Sequence, residues 1–306
     1  MKNKIIVSSE EEGMRLDRLL FQNFPDYSPS EIFRAIRSGE IRINSKRVQN
    51  FSRLQLGAII RIPPQFISKK EGNEEVVKMT PPLIKHIPKI IYEDETVIVV
   101  DKPPHLAVHG GSGINWGLIE YLRYRYQQPK IELVHRLDRE TSGVIIIARN
   151  RKSLRVLHQQ FREKSVKKVY YARVFGRFPK KIRQISTSLF KRKSDDYTHK
   201  VITSKTGSPA LTNIELIKSD EFSLLKVRPQ SGKTHQIRVH LQSIGFPIIG
   251  DNRYANFDQN KEFVKKNKIK RMFLHAHSIS IIHPVSNQKQ EFCSQIPSEF
   301  TQNYIN

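Results

Sequence analysis

The sequence is poor in cysteine and in long apolar runs. Among its 306 residues only Cys293 is a cysteine. One cysteine forms no intramolecular disulfide, and it supplies no cysteine cluster for a metal. The first residues, MKNKIIVSSEEEG, lack an apolar stretch of signal-peptide length, and no apolar run approaches membrane-spanning length. We therefore expect a cytoplasmic protein that has no membrane partner.

Acidic residues are also scarce. The chain has 29 Asp and Glu residues against 53 Lys and Arg residues, which gives a formal net charge of +24. This excess predicts a polyanionic partner such as nucleic acid. Two alternatives stay open: a basic protein without such a partner, and one that binds an anionic membrane surface. No strongly amphipathic basic helix supports the membrane alternative.

Residues 1–64 are predicted to form a small N-terminal domain of two helices and a hairpin. The first helix is indicated by apolar residues at helical spacing, namely Leu16, Leu19, Leu20 and Phe24. The sequence SPSE at 28–31 is a capping box that predicts the start of a second helix, and Gly39 predicts its end. Residues 40–44 and 57–62 predict the hairpin.

Basic residues follow the predicted solvent side of this domain: Arg34, Arg37, Arg42, Lys46, Arg47 and Arg53. Such a stripe suits a phosphate backbone, and an ordinary solvated face is the alternative. Residues 65–87, which mix Pro, Lys and Glu with little periodicity, predict a linker. Deleting residues 1–64 should therefore weaken binding to nucleic acid and its salt dependence.

Residues 88–306 are predicted to form a larger, predominantly β domain of the α+β class. Strand patterns lie at residues 90–92, 96–101, 144–148, 169–175, 211–217, 222–228 and 278–282. Helix patterns lie at residues 115–126, 152–163 and 234–244. The polar segments 191–199 and 258–271 are predicted to be surface insertions.

One acid stands among bases just before an apolar strand. In VHRLDRETSGVIIIARN, residues 134–150, Asp138 lies between Arg136 and Arg139. The two positive charges favour the ionised carboxylate, which suits a nucleophile or general base. A structural ion pair on a loop is the alternative. A rigid strand behind the loop would fix the carboxylate in place.

Three further segments carry candidate site residues. In VKKVYYARV, residues 166–174, strand alternation places Lys168 and Tyr170 on one face, where a tyrosine could stack on a base or pack as a half-buried strand residue. In SGKTHQIRVH, residues 231–240, a turn opens a helix whose basic residues line a rim, and in DKPPHLAVHGGSGI, residues 101–114, a Gly-rich loop follows a strand.

A metal hydrolase is a further alternative on histidine content alone: His235, His240, His275, His277 and His283. These histidines have no cysteine partner or acidic cluster.

Together these motifs resemble the RluA-type pseudouridine synthases. The resemblance rests on DKPPHLAVHGG, HRLDRETSG, KKVYYARV, GKTHQIRVH and FLHA at 273–276, in that order, and it covers residues 88 to about 297. The N-terminal domain is similar to the small RNA-binding domain named for ribosomal protein S4. The resemblance implies a mixed, mainly antiparallel catalytic sheet, and an enzyme that isomerises uridines in large-subunit (23S) ribosomal RNA as a monomer, without metal or cofactor. The alternatives are another RNA target, either a different rRNA helix or a tRNA, and a non-catalytic rRNA-binding assembly factor.

The resemblance also implies a role for each site residue. Asp138 would be the nucleophile or base, and Arg238 would pair with it. Tyr170 would pack on the flipped base, Ile237 under the uracil, and Arg136 would fill the space that the base vacates. Further RNA contacts are expected from Lys168, His135, Arg34, Arg37, Arg42, Lys46 and Arg47. For Lys168 and His135 a purely structural role is the alternative.

Overall fold

The protein is described here from a computed structural model, which describes residues 3–24, 27–66, 87–110, 116–128, 130–193, 199–302 and 304. The chain divides into two compact units, Met1–Thr80 and Pro81–Asn306. We call them the N-terminal unit and the C-terminal unit. Most of the predicted linker, residues 67–86, lies outside the described residues.

The N-terminal unit packs two helices against a small sheet. Helix α1 spans Leu16–Asn23 and α2 spans Pro29–Ser38. The antiparallel sheet has the order β1 (Lys4–Ile6), β3 (Ile59–Arg61), β2 (Arg42–Ile43). The predicted helices and hairpin are confirmed, and β1 is an addition that the sequence pattern did not indicate.

Local sequence explains where α2 begins and ends. The Ser28 hydroxyl accepts a hydrogen bond from the Glu31 backbone N–H at 3.4 Å, and the Glu31 carboxylate accepts one from the Ser28 backbone N–H at 2.8 Å. Gly39 ends the helix in the left-handed region with φ of +79°. The apolar face of each helix lies in one core with residues of the sheet and loops: Leu16, Leu19, Leu20, Ile32, Ile36, Ile41, Leu54 and Ile60.

The C-terminal unit is built on an eleven-stranded sheet. Its strands are β4 (Lys89–Glu93), β5 (Val97–Lys102), β6 (Glu132–Leu133), β7 (Ser142–Ala148), β8 (Lys167–Arg173), β9 (Gln184–Lys193), β10 (His199–Thr203), β11 (Ser208–Lys218), β12 (Leu224–Pro229), β13 (Leu274–Ile282) and β14 (Lys289–Cys293). The order is β10-β9-β11-β12-β8-β13-β7-β5-β4, with β14 beside β13 and β6 beside β7. Among the described strand pairs only β7 and β13 run parallel, so the mainly antiparallel prediction is confirmed.

Helices cover the sheet on both faces. They are α3 (Leu118–Tyr126), α4 (Arg151–Arg162), α5 (Gln236–Ser243) and α6 (Phe257–Lys266), followed by a short 3-10 turn at Ser298–Phe300. Val144 and Ile146 of β7 share a core with α4, whereas Ile145 and Ile147 share one with α3. Burial on both faces explains why β7 is β-branched at successive positions rather than alternating with polar residues.

Two predicted surface insertions differ from the structure. Residues 191–193 belong to β9, and residues 194–198 lie outside the described residues. Most of 258–271 is helix α6, and its Phe263 is buried against Phe175 and Phe222. The prediction of an insertion was wrong there. Charged residues dominate the segment and hide the few apolar side chains that pack against the core. No helix in the described part of the chain is long and apolar enough to cross a membrane.

Gly143 allows the parallel pairing of β7 with β13. It is the second residue of β7, with φ of +108°, and it faces Ala276 of β13 across the pair. A Cβ atom on Gly143 would stand 2.1 Å from the Ala276 carbonyl oxygen. Only glycine permits both the backbone angle and this close approach. The glycine of the TSG motif therefore lets β13 dock beside the loop that carries Asp138.

Candidate active site

Asp138 lies on the loop between β6 and β7, and the backbone of this loop is pinned. The Thr141 N–H donates to the Asp138 carbonyl at 3.1 Å, which closes a turn. Lys102, fully buried at the end of β5, donates from Nζ to the carbonyls of Pro103, Leu106 and Arg139 at 2.9, 2.8 and 3.1 Å. Burial lowers the pKa of Lys102 to about 7, although nearby carboxylates act to raise it. The loop that positions Asp138 is thus tied to the neighbouring strand.

Arg238 links the Asp138 carboxylate to a second, buried carboxylate. Its Nη1 donates to Asp138 Oδ2 at 3.1 Å, while Nε and Nη2 donate to the two oxygens of Asp251, each at 2.8 Å. Asp251 also accepts from the backbone N–H groups of Arg253 and Tyr254 at 2.9 and 3.1 Å. Burial acts to lower the pKa of Arg238, but the hydrogen bond and charge of Asp251, together with Asp138, outweigh it and raise the pKa. Arg238 is therefore a fixed cation beside Asp138.

The start of α5 places Arg238 through a buried glutamine. The Gln236 side-chain oxygen accepts from the Ser231 hydroxyl at 2.7 Å and from the Lys233 N–H at 3.1 Å. Its amide nitrogen donates to the Leu211 carbonyl and to the Thr212 hydroxyl, both at 3.0 Å. Gln236 thereby joins the turn before the helix to strand β11, which fixes the direction in which Arg238 leaves the helix.

A cavity of about 80 Å³ opens beside Asp138. Its apolar walls include Tyr170 of β8, Ile237 of α5 and Leu274 of β13, and Lys168 is part of its lining. Burial and the charge of Asp138 raise the pKa of Tyr170, so its phenol is neutral at ordinary pH. An aromatic ring and aliphatic walls beside a carboxylate suit a flat base whose sugar reaches the acid.

Two larger cavities adjoin the first, and the exposed Arg136 is part of the lining of all three. One, of about 770 Å³, is also lined by Asp138, Arg139 and Arg271. The other, of about 400 Å³, is lined by basic side chains including Arg162 and Lys164. An open, mostly basic groove thus surrounds the small cavity. Such a groove suits a nucleic acid backbone.

Lys168 and His135 occupy less direct positions. Lys168 Nζ donates to the Ser231 carbonyl at 3.3 Å, and burial lowers its pKa. His135 Nε2 accepts from the Ile146 N–H at 3.0 Å, and its ring stacks on Phe161 with centroids 5.0 Å apart. Burial and the charge of Lys168 lower the pKa of His135 to about 3. His135 lines the cavity of about 400 Å³ and is not part of the lining around Asp138, so its RNA role stays a prediction.

The predicted RNA contacts of the N-terminal unit lie in α2 and in the turn and strand that follow it. Arg34, Arg37, Lys46 and Arg47 are exposed, whereas Arg42 is half-buried and donates to the Gly39 carbonyl at 2.9 Å. Arg34 and Arg37 are three residues apart in α2 and therefore share a face. Their roles stay predictions.

Two residues of the site escaped the sequence reasoning: Asp251 and Tyr254. Asp251 neutralises Arg238, and Tyr254 contacts both His235 and Arg238. One signal could have found Asp251: it is an acid directly after Ile248-Ile249-Gly250, an apolar run in a basic chain. His235, expected on a rim or as one of the histidines of a metal site, has its Nε2 at 3.8 Å from Asp138 Oδ2. Among the residues that the structure describes, no group of three or more His, Cys, Asp or Glu side chains is placed to hold a metal.

Comparisons with known proteins agree with this geometry. Residues 96–243 match the sequence model of the RNA pseudouridylate synthase family, and residues 14–60 match that of the S4 domain. The chain is 39% identical over 305 residues to the ribosomal large subunit pseudouridine synthase C of Buchnera aphidicola subsp. Schizaphis graminum, covering 99% of this chain and 96% of that one. The chain belongs to the RNA pseudouridylate synthase family. The family that the motifs resemble is thus confirmed.

Further members of the family are similar over most of their length. The synthase C of Vibrio cholerae is 37% identical over 306 residues, covering 97% of this chain and 94% of that one. Human RNA pseudouridylate synthase domain containing 1 has a solved structure with a TM-score of 0.58 at 26% identity, covering 68% of this chain and 83% of that one. The structure of human RNA pseudouridylate synthase domain containing 4 shares the fold, with a TM-score of 0.55 at 23% identity, over 69% of this chain and 90% of that one.

Proposed function

We propose that this protein isomerises uridines to pseudouridine in large-subunit (23S) ribosomal RNA, with Asp138 as the reacting carboxylate. The observation that carries the proposal is the position of Asp138, which is held by Arg238 at 3.1 Å and lines the cavity formed by Tyr170 and Ile237. The RNA target is supported by the printed names of the relatives, which are large-subunit pseudouridine synthases similar over nearly the whole chain.

The reaction rearranges one nucleotide without adding or removing atoms. The bond from ribose C1′ to uracil N1 breaks, and a bond from C1′ to uracil C5 forms. The proton lost from C5 is balanced by one gained at N1. An ionised Asp138 can begin the reaction in two ways: it can attack C1′ directly, or it can remove a proton from ribose C2′ to give a glycal. Both routes use the deprotonated carboxylate, and in both the Arg238 guanidinium stays beside it, 3.1 Å from Oδ2.

The groups around Asp138 have distinct tasks in this proposal. The target base must leave its stack, which costs a few kcal/mol. Tyr170 packs on one face of the extruded uracil and Ile237 lies beneath it, so that stacking lost in the RNA is partly recovered. Arg136, exposed at the junction of the three cavities, fills the space that the base leaves.

The N-terminal unit binds RNA phosphates. Its basic residues on and after α2, together with the match to the S4 domain, support this role. All the residues assigned to the reaction come from one chain, so a monomer suffices. The protein acts in the cytoplasm, either on free ribosomal RNA or on an assembling particle.

Replacing Asp138 tests the proposal. Asp138→Asn keeps the shape of the side chain but removes the charge, so tritium release from large-subunit RNA labelled at uracil C5 should fall by at least about 10³-fold. Glu95→Gln, the same change at an exposed turn, is the matched control and should leave the rate unchanged. Equal rates for wild type and Asp138→Asn, or no isomerised uridine from wild type, would rule out the proposed chemistry.

The RNA target is tested separately. Mass-spectrometric mapping of pseudouridine in RNA from cells that lack the protein should show uridines left unmodified in large-subunit RNA. If those uridines lie in a tRNA or in small-subunit RNA, the enzyme assignment stands and the target assignment is wrong.

A further inference from the structure

The Asp138 carboxylate is held at one oxygen only. Arg238 Nη1 donates to Oδ2 at 3.1 Å, and His235 Nε2 stands 3.8 Å from the same Oδ2. Among the residues that the structure describes, none donates to Asp138 Oδ1, and this oxygen is not buried. The two oxygens of the carboxylate are therefore chemically different before any substrate binds. Oδ2 faces the cation and the imidazole, and Oδ1 is left for reaction.

Tyr254 determines which nitrogen of His235 carries the proton. The phenol oxygen of Tyr254 accepts from the Val201 backbone N–H at 3.1 Å, and it lies 2.8 Å from His235 Nδ1. In the described part of the chain the phenol oxygen has no other hydrogen-bond partner, so Nδ1 is the acceptor within reach of its own hydrogen. Because Nδ1 then accepts, the neutral imidazole carries its hydrogen on Nε2, the nitrogen that faces Asp138.

The surroundings keep His235 neutral. Burial is the largest effect and lowers its pKa; Arg238 and Arg253 lower it further, whereas Asp138 and Asp251 act in the opposite direction. A second proton on Nδ1 would also displace the hydrogen of the Tyr254 phenol from its acceptor. The backbone of His235 is fixed in the left-handed region with φ of +53°, which aims the ring from the turn before α5. The ring is thus held in both place and tautomer.

We propose that His235 is a positioning residue that Tyr254 holds in the Nε2–H form, so that His235 and Arg238 together engage Asp138 Oδ2 and present Oδ1 to the ribose. The inference rests on the proposed function, since it concerns the same carboxylate. The 3.8 Å separation exceeds a hydrogen bond, and it closes when an extruded nucleotide occupies the site, as catalytic hydrogen bonds commonly do. A neutral donor orients the carboxylate without adding a second cation beside Oδ2.

The tautomer can be observed without measuring activity. In the full-length chain labelled with ¹⁵N-histidine, the His235 signals are identified by their loss in His235→Gln. We expect a protonated Nε2 and an unprotonated, hydrogen-bonded Nδ1 in wild type. In Tyr254→Phe, where only the phenol oxygen is removed, we expect both tautomers. A wild-type ring protonated at Nδ1 alone would overturn the proposal, whatever the activity of the enzyme.

A double-mutant cycle tests the effect on catalysis. Tyr254→Phe in the wild-type background should lower kcat roughly 3- to 10-fold, the effect of one neutral hydrogen bond, with KM unchanged. Glutamine at 235 offers an amide N–H donor but has no tautomer to control. In the His235→Gln background, Tyr254→Phe should therefore change kcat by less than about twofold. If Tyr254→Phe lowers kcat by the same factor in both backgrounds, Tyr254 acts only through the structure and the proposal fails.

Two comparisons complete the design. His235→Leu lacks any donor and should have a lower kcat than His235→Gln; both residues meet the same left-handed backbone, so their folding costs are matched. Tyr92→Phe, which removes a hydroxyl bonded to Asp94 outside the site, should leave kcat unchanged. Equal kcat for the Gln and Leu variants would contradict a donor role. Failure of the proposed function itself would appear in a different measurement, as equal rates of tritium release for wild type and Asp138→Asn.

Discussion

At the scale of single residues, the site depends on a buried carboxylate that holds the Arg238 guanidinium. Asp251 is fully buried and accepts hydrogen bonds from the Arg238 guanidinium and from two backbone N–H groups. A buried ion pair contributes little net stability while it is intact, but removing one partner leaves an uncompensated charge. In this protein that charge is the Arg238 cation, which would keep only the partly exposed Asp138, at 3.1 Å, as a charged partner.

Asp251→Asn should therefore destabilise the protein by about 3 kcal/mol. Urea unfolding at constant pH measures the loss. Glu215→Gln, which breaks an exposed pair with Arg228 at 2.7 Å, is the control and should change the unfolding midpoint little. A midpoint for Asp251→Asn within error of that control would contradict the importance given to the buried pair.

Short sequence motifs identify some residues of the site and miss others. Asp138, Tyr170 and Arg238 each lie in a compact motif, and the fold brings them to one cavity. Arg238 and Asp138 are 100 residues apart in the chain, so their contact follows from the family resemblance and not from local pattern. Asp251 and Tyr254 were missed because hydrogen bonds between distant segments leave no periodic trace in a sequence.

At the scale of elements, the parallel contact between β7 and β13 requires a glycine. Gly143→Ala would force a left-handed φ of +108° on a residue with a side chain and place its Cβ 2.1 Å from the Ala276 carbonyl oxygen. We expect a loss of at least about 2 kcal/mol, because backbone strain and steric overlap add. Gly245→Ala, also at positive φ but with nothing within 4 Å of the added Cβ, controls for strain alone. Equal losses for the two variants would show that the close approach has no cost.

Helices and strands are predicted correctly where burial imposes a regular spacing of apolar residues. The buried run of β7 and the capping box of α2 are read correctly because each has a strong local cause. Strand β6 was missed because it is only two residues long, and β10 because polar residues surround it. Helix α6 was missed because its charged surface conceals a few inward positions, of which Phe263 is one.

At the scale of the whole molecule, the net charge of +24 should govern binding to RNA. Replacing Arg34, Arg37 and Lys46 together by Gln removes three charges from the N-terminal unit. The slope of log Kd against log salt should become shallower by about 2 to 3, because each phosphate contact contributes 0.7 to 0.9. The charge-conserving variant Arg34→Lys, Arg37→Lys, Lys46→Arg should keep the wild-type slope. A slope that is unaltered in the Gln variant would show that these residues do not contact phosphates.

The position of β13 determines when the sheet can first be completed. Among the described strands, β13 (Leu274–Ile282) is the one that pairs with both β7 and β8. It joins the part of the sheet that contains β7 to the part that contains β8. Asp138 belongs to the first part, and Tyr170 and Arg238 to the second. Residues 274–282 must therefore leave the ribosome before β7 and β8 can be held in one sheet. A truncation that removes β13 should be inactive.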